Sequence, residues 1–498
     1  MKQLTLSQAW QLEDWAAIAS GLATIDFDKE SQRRVQHSHS NMLKVLNQGQ
    51  AVYGINTGFG SLCTTAIPHE ELQDLQVNLL RSHAAGTGPN SNDAVVRLML
   101  VAKAKSLAQG FSGIRRVLID QLLALYHADV LPVVPQIGSL GASGDLAPLS
   151  HLCLPLIGES KVNVGGEIMD ASKALSQVGI SPIVLEAKEG LALINGTQFM
   201  LANGLHVAME AQRVSYWADL IGSASALAYE GSSAPFQPGI HKVRKQAGQS
   251  FVASRVLEFT LGAADFQIAT KHVQDPYSFR CMPQVHGASN DAWLHIEKIL
   301  LDEGESVTDN PTVFEDAILS AGNFHGQPLA MAMDYGKLAL AEWGSISERR
   351  INQLMLGKRG LPPFLAANAG TESGYMILQY SAAALVSRSK QRSVPASTDS
   401  IDSSAGQEDH VSMGANASTD AIEILNNTWT ILSMEFLAAM RAHGLNSGLM
   451  SPIIKDLRDA FMDAVQPASG DGILAVDMEA TKQFIQSIDI EDRLAFNA

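Results

Sequence analysis

Residues 138–151 read Gly-Ser-Leu-Gly-Ala-Ser-Gly-Asp-Leu-Ala-Pro-Leu-Ser-His, and the Ala142-Ser143-Gly144 within them can build an electrophile from backbone. An amide nitrogen is normally a very poor nucleophile, because resonance ties up its lone pair. Where a turn presses them together, the Gly144 nitrogen can attack the carbonyl carbon of Ala142. The small Ala142 side chain permits that compression, and glycine widens the allowed backbone angles. Loss of water closes a five-membered imidazolone, and dehydration of Ser143 adds an exocyclic methylene. No ordinary side chain supplies such a group. The plain alternative for these residues is a glycine-rich turn ahead of a helix.

This run resembles the signature of the histidine and aromatic amino-acid ammonia-lyases, whose electrophile is 4-methylidene-imidazole-5-one (MIO). The resemblance extends from near residue 8 to about residue 445, through the stretches 53–60, 195–198, 274–287, 320–328 and 407–413. It implies an MIO made from Ala142, Ser143 and Gly144, with no external cofactor and no metal. It makes Tyr53, in YGINTGFG, the catalytic tyrosine. A phenol titrating near about 10 serves as a base at neutral pH only where charge or hydrogen bonding stabilises the phenolate. Without the resemblance, Tyr53 is a structural tyrosine in a turn-rich loop. Asn195 would donate near the MIO carbonyl, since an amide stabilises a developing oxyanion without titrating. Read locally, Asn195-Gly196 is equally a turn pair. Arg280, in QDPYSFRC, would clamp the substrate carboxylate through its planar two-pronged fork, with Gln274 and Tyr277 lining the same pocket. A lone arginine is otherwise a surface charge. Phe324 would face the MIO or the substrate ring, and His325 beside it reads as a structural histidine.

Two features bear on the substrate. Ser82-His83 occupies the family's specificity pair, where the histidine-specific members resemble it and the phenylalanine-specific members tend to carry Phe-Leu. A buried imidazole needs hydrogen-bonding partners, and each unpaired nitrogen costs about 1–3 kcal/mol. Glu408, in QEDHVSM, looks like the histidine-type version of its motif, approaching the substrate ring or its β-carbon. A buried glutamate needs a partner or an upward pKa shift, and an imidazole is such a partner. The plain alternative is an acidic helix start at Glu408-Asp409. The resemblance therefore implies elimination of ammonia from histidine to give trans-urocanate. Tyr53 and Glu408 both stay open as the base for the β-proton, and a tyrosine or phenylalanine lyase or an aminomutase is the alternative outcome. Gly326-Gln327 and Gly414-Ala415-Asn416 depart from the commoner Ala-Glu and Ala-Pro of bacterial histidine-specific members. Both lie beside binding motifs, so they bear on fine preference rather than on the chemistry. A helical assembly without activity is the remaining reading, and the intact Ala142-Ser143-Gly144, Tyr53 and Arg280 argue against it.

The elements that must position these residues are mostly helical. Apolar residues recur at three- and four-residue intervals across 94–127, 198–229, 327–356, 373–387 and 420–442. Ser451-Pro452 opens a helix over 451–465, and Lys161–Val164 with Ile168-Met169 suggests a small hairpin around Gly165-Gly166. The expected fold is mainly α: a loop-rich MIO-bearing region over 1–200, then an elongated helical bundle over 201–498. Long helices with few charges must bury more than one face, which fits a bundle packed against other subunits. The family resemblance implies a homotetramer whose active sites combine segments of several chains. At 498 residues, 46% hydrophobic and 17% charged, the chain is globular rather than disordered. A net charge of −16 disfavours non-specific nucleic-acid binding. Three dispersed cysteines, Cys63, Cys153 and Cys281, exclude a disulfide framework and a thiolate metal site. The polar N-terminus and the lack of a long apolar run lead to the expectation of a soluble, cytoplasmic enzyme with no membrane partner.

Overall fold

A computed structural model describes residues 1–46, 55, 57, 67–268, 272–446 and 450–490, and helices dominate it. The chain divides into two compact units. The first comprises Met1–Val207, Glu297–Asp334 and Pro395–Thr419; the second comprises Ala208–Ile296, Tyr335–Val394 and Asp420–Ala498. The units interleave along the chain, whereas the sequence reading draws one boundary near residue 200. The changeover at Val207–Ala208 falls inside the Gln198–Ala228 helix, so no linker composition marks it.

In the first unit, the 94–127 run becomes two helices, Asp93–Ala108 and Val117–His127. Asn92 caps the first of them, its side-chain oxygen accepting from the Val95 amide at 2.8 Å. That helix is buried on nearly every side, Lys103 and Lys105 included. Strands Lys161–Val164 and Glu167–Asp170 pair antiparallel with Val164 opposite Glu167. Gly165 and Gly166 lie at φ +61° and +91°, the two left-handed positions that a tight two-residue hairpin turn demands. Val130–Pro132 adds a third strand, and Lys2–Thr5 pairs parallel with Ala23–Asp26. Unlike the hairpin, which its paired glycines mark, these last pieces carry too little alternation to be read from sequence.

In the second unit the apolar stripes meet around aromatic rings. Phe436 packs edge-on to Phe461 at 5.0 Å between centroids and near Trp217 at 6.3 Å, and Phe461 meets Phe484 at 5.4 Å. Charge is buried there as well. Arg350 Nε and Nη2 donate to the Glu435 carboxylate at 2.6 and 2.8 Å, and both side chains are fully enclosed. His286 Nδ1 donates to Asp219 at 2.6 Å. Burial holds His286 below the ordinary histidine range, so its Nε2 keeps a lone pair that accepts from Arg350 Nη1 at 3.4 Å. The same Arg350 Nη1 reaches the Ser278 carbonyl, at 3.4 Å, in the short Tyr277–Arg280 helix. Among the described residues, no helix is long and apolar enough to cross a membrane.

Glu435→Leu removes the acid and leaves the Arg350 charge buried without its partner. Breaking one side of such a pair costs about 3–5 kcal/mol. The expected result is a lower denaturant midpoint, and an unchanged midpoint contradicts the role assigned to this pair.

Candidate active site

The run ahead of the Leu146–Cys153 helix is tied down from several sides. Ser139 Oγ accepts from the Gly141 amide at 3.1 Å and donates to Asp145 Oδ1 at 3.0 Å. The Met413 amide donates to the Leu140 carbonyl at 2.9 Å, and Ser412 Oγ to the Gly141 carbonyl at 3.3 Å. Gly144 at φ +75° and Gly196 at φ +122° form an isolated parallel bridge. Within it the Asp145 amide donates to the Gly196 carbonyl at 2.7 Å. A Cβ on Gly144 would collide with that carbonyl, so only glycine fits. The Asp145 carboxylate accepts from the Phe199 and Met200 amides at 3.1 and 2.9 Å, where the Gln198–Ala228 helix begins. Burial pushes Asp145 up to about 7.

Asn195 follows directly after the Glu189–Ile194 helix and is 1% exposed. Its Nδ2 donates to the Ser143 carbonyl at 3.0 Å and to Ser143 Oγ at 2.6 Å. Ala142, Ser143, Gly144 and Asn195 are thus brought together. An amide donor aimed at the residue flanked by Ala142 and Gly144 can stabilise negative charge there.

Ser82 and His83 end the Leu72–His83 helix, Ser82 exposed and His83 half-buried. His83 Nδ1 lies 2.9 Å from the Leu79 carbonyl. A carbonyl only accepts, so Nδ1 is the donor there, and in the neutral ring the lone pair then sits on Nε2. Ser82 Oγ donates to the same carbonyl at 3.2 Å. Just beyond, the Gly86 amide donates to His151 Nε2 at 3.0 Å, tying this loop to the Leu146–Cys153 helix. Phe324 is half-buried in the turn before the Gln327–Met355 helix. Glu408 is half-buried rather than enclosed, and its Oε2 accepts from Ser403 Oγ at 2.9 Å. A Cβ on Gly326 or on Gly414, the two departing positions, would collide with the Met200 side chain.

Gln274, Tyr277 and Arg280 lie together in the second unit. Arg280 Nε donates to the Asp275 carbonyl at 3.0 Å, and its guanidinium sits 4.4 Å from the centroid of the Tyr277 ring. With the Gln274 amide turned to satisfy both groups, its oxygen accepts from Arg280 Nη1 and Nη2 at 3.3 and 3.1 Å. Asp275 is itself held by Arg359 at 2.6 Å and by the Ser232 amide at 2.8 Å. Ser232, Ile268, Gln274, Arg280, Cys281 and Gln284 help line a cavity of about 370 Å³ here. Tyr53 lies outside the described residues. Sequence reasoning gave no role to Ser139 and Ser412, although both lie inside the quoted stretches, nor to Arg359, which bears no motif, nor to Lys103, whose one signal is a lysine inside an apolar helical run.

Gly144→Ala forces the bridge open, because its obstacle is backbone that cannot rotate away. Hydrogen exchange at the Asp145 amide is expected to speed up by at least about tenfold, as a local loss of 1.4 kcal/mol would give. Parent-like protection contradicts the bridge.

The sequence profile of the family described as "Aromatic amino acid lyase" matches residues 10–466. The chain is 45% identical over 471 residues to a "Histidine ammonia-lyase" of Geobacillus sp. (strain WCH70), covering 93% of this chain and 92% of that one. It is similar to the crystal structure of histidine ammonia-lyase from Trypanosoma cruzi, with a TM-score of 0.89 and 36% identity, covering 98% and 94% of the two chains. It is also similar to the structure of tyrosine aminomutase from Streptomyces globisporus, with a TM-score of 0.92 and 32% identity over 97% and 96%.

Proposed function

The chain belongs to the aromatic amino acid lyase family and is a carbon–nitrogen lyase, and from that premise we propose that it eliminates ammonia from L-histidine to give trans-urocanate. The observation that carries the choice of substrate is His83. With Nδ1 donating to the Leu79 carbonyl, the neutral ring presents Nε2 as an acceptor suited to an imidazole N–H. A phenyl ring would leave that acceptor unpaired, at a cost of about 1–3 kcal/mol. The names of the relatives support the same choice.

The cofactor in this reading is an MIO formed from Ala142-Ser143-Gly144, and the residues present fit it. Gly144 meets Gly196 at a separation that a Cβ on Gly144 would not allow, and Asn195 donates to both Ser143 oxygens. When formed, the MIO supplies an electrophile that turns the substrate α-amino group into a better leaving group. Arg280 holds the substrate carboxylate, with Tyr277 and Gln274 fixing its orientation. Tyr53 takes the β-proton, Glu408 and the Ser82-His83 pair read the imidazole, and Phe324 lines the ring pocket. Loss of the β-proton and of the amine as ammonia leaves a conjugated acrylate. A homotetramer with shared sites belongs to the same proposal. It is supported by Met331, Tyr335 and Leu338, exposed apolar residues at helical spacing along one face of the Gln327–Met355 helix.

The test is purified protein incubated with histidine, phenylalanine or tyrosine while acrylate absorbance is followed and products are separated. Turnover of histidine with the highest kcat/KM is expected. A preference for phenylalanine or tyrosine, or a β-amino acid product, overturns the assignment. Arg280→Lys is expected to raise KM by about tenfold or more and to lower kcat as well, since a point charge cannot reproduce the two-pronged grip. Unchanged kinetics remove Arg280 from the site.

A further inference from the structure

Two lysines of the Asp93–Ala108 helix are buried, Lys105 at 0% and Lys103 at 1% exposure, and residues two apart on a helix face different ways. Lys105 Nζ donates to the Gln8 carbonyl at 2.8 Å, pairs with Glu305 at 3.1 Å and lies 4.0 Å from the Trp10 ring centroid. Lys103 Nζ donates instead to the Asn195 carbonyl at 2.6 Å and the Ala192 carbonyl at 3.0 Å. These carbonyls close the Glu189–Ile194 helix, where the last turn has no backbone donors of its own. A third carbonyl of the same helix end, that of Leu193, faces the buried Cys153 thiol at 3.7 Å. Asn195 is also the residue whose side-chain amide donates to Ser143.

We propose that Lys103 is a positioning residue: its two bonds fix the end of the Glu189–Ile194 helix and so aim the Asn195 amide at Ser143, both while the electrophile forms and during turnover. The proposal rests on the MIO reading above. Packing alone does not call for a lysine here. Methionine fills a similar volume without the cost of burying an ammonium. That cost is visible in Lys103 itself, which burial pushes down to about 8 against the opposing charge of Asp309. The lysine contributes two donors at a point where two buried carbonyls converge beside a catalytic amide.

Lys103→Met and Lys105→Met, made side by side in the full chain, separate positioning from simple stability. Both lose the bonds of a buried ammonium, so both are expected to melt below the parent. Only Lys103→Met is expected to yield folded protein in which part of the population keeps the water that cyclisation removes, read from its intact mass. Its kcat for histidine should fall at least about tenfold with KM within about twofold, the size of effect that a misplaced catalytic group produces. Lys103→Gln keeps a donor one bond shorter, and serves if the methionine variant is insoluble; partial dehydration and an intermediate kcat are expected of it. The proposal is overturned if the soluble Lys103 variant is fully dehydrated with parental kcat, if its defect lies in KM alone, or if Lys105→Met shows the same losses. If the parent itself retains both waters, it is the MIO reading that has failed, and the two failures are thereby distinguished.

Discussion

The Asp145 amide donating to the Gly196 carbonyl at 2.7 Å joins two segments that meet only because Gly144 carries no side chain at the point of approach. Much of the first unit's polar centre depends on that contact. It places Asn195, one residue before Gly196, against Ser143, one residue before Gly144. It also brings the Asp145 carboxylate beneath the first amides of the Gln198–Ala228 helix, whose donors have no intrahelical partners. Ser139 and Ser412 add hydrogen bonds to Asp145 and to the Gly141 carbonyl of the same turn. A side chain at Gly144 would push these groups apart, and hydrogen bonds weaken steeply with distance.

The second unit positions its arginine by a different device. Arg280 leans on the carbonyl of Asp275, and Asp275 is in turn clamped by Arg359 and the Ser232 amide. The short Tyr277–Arg280 helix is also approached by Arg350, which belongs to the enclosed group with Glu435, His286 and Asp219. Buried pairs of this kind add little net stability, yet they tolerate no loss of one member. A guanidinium proposed to grip a carboxylate gains from such a support, because its own side chain has many rotamers to restrict.

The candidate stretches stand out because they combine residue types that ordinary packing does not require: Ala-Ser-Gly in a turn, a Ser-His pair, and Gln, Tyr and Arg at fixed spacing. The long helices were legible from their three- and four-residue periods, and the small hairpin from its paired glycines. Other features leave no local trace. Asn195-Gly196 looks like a turn pair until the bridge to Gly144 shows what the amide faces. Lys103 and Lys105 are buried in a way the sequence does not show, since burial depends on what packs around the helix. The two later returns of the chain to the first unit, at 297–334 and 395–419, are equally silent in composition. Glu408 is more exposed than the motif suggested, and its carboxylate accepts from Ser403 Oγ.

The central claim is that this turn cyclises, and the intact mass of the purified chain tests it most directly. Ring closure and Ser143 dehydration each remove one water, so the parent should weigh two waters less than its sequence requires. Ser143→Ala, which has no hydroxyl to lose, should retain at least one of them and show no lyase turnover. A parent chain at its full sequence mass, or a Ser143→Ala variant with parental turnover, contradicts the account.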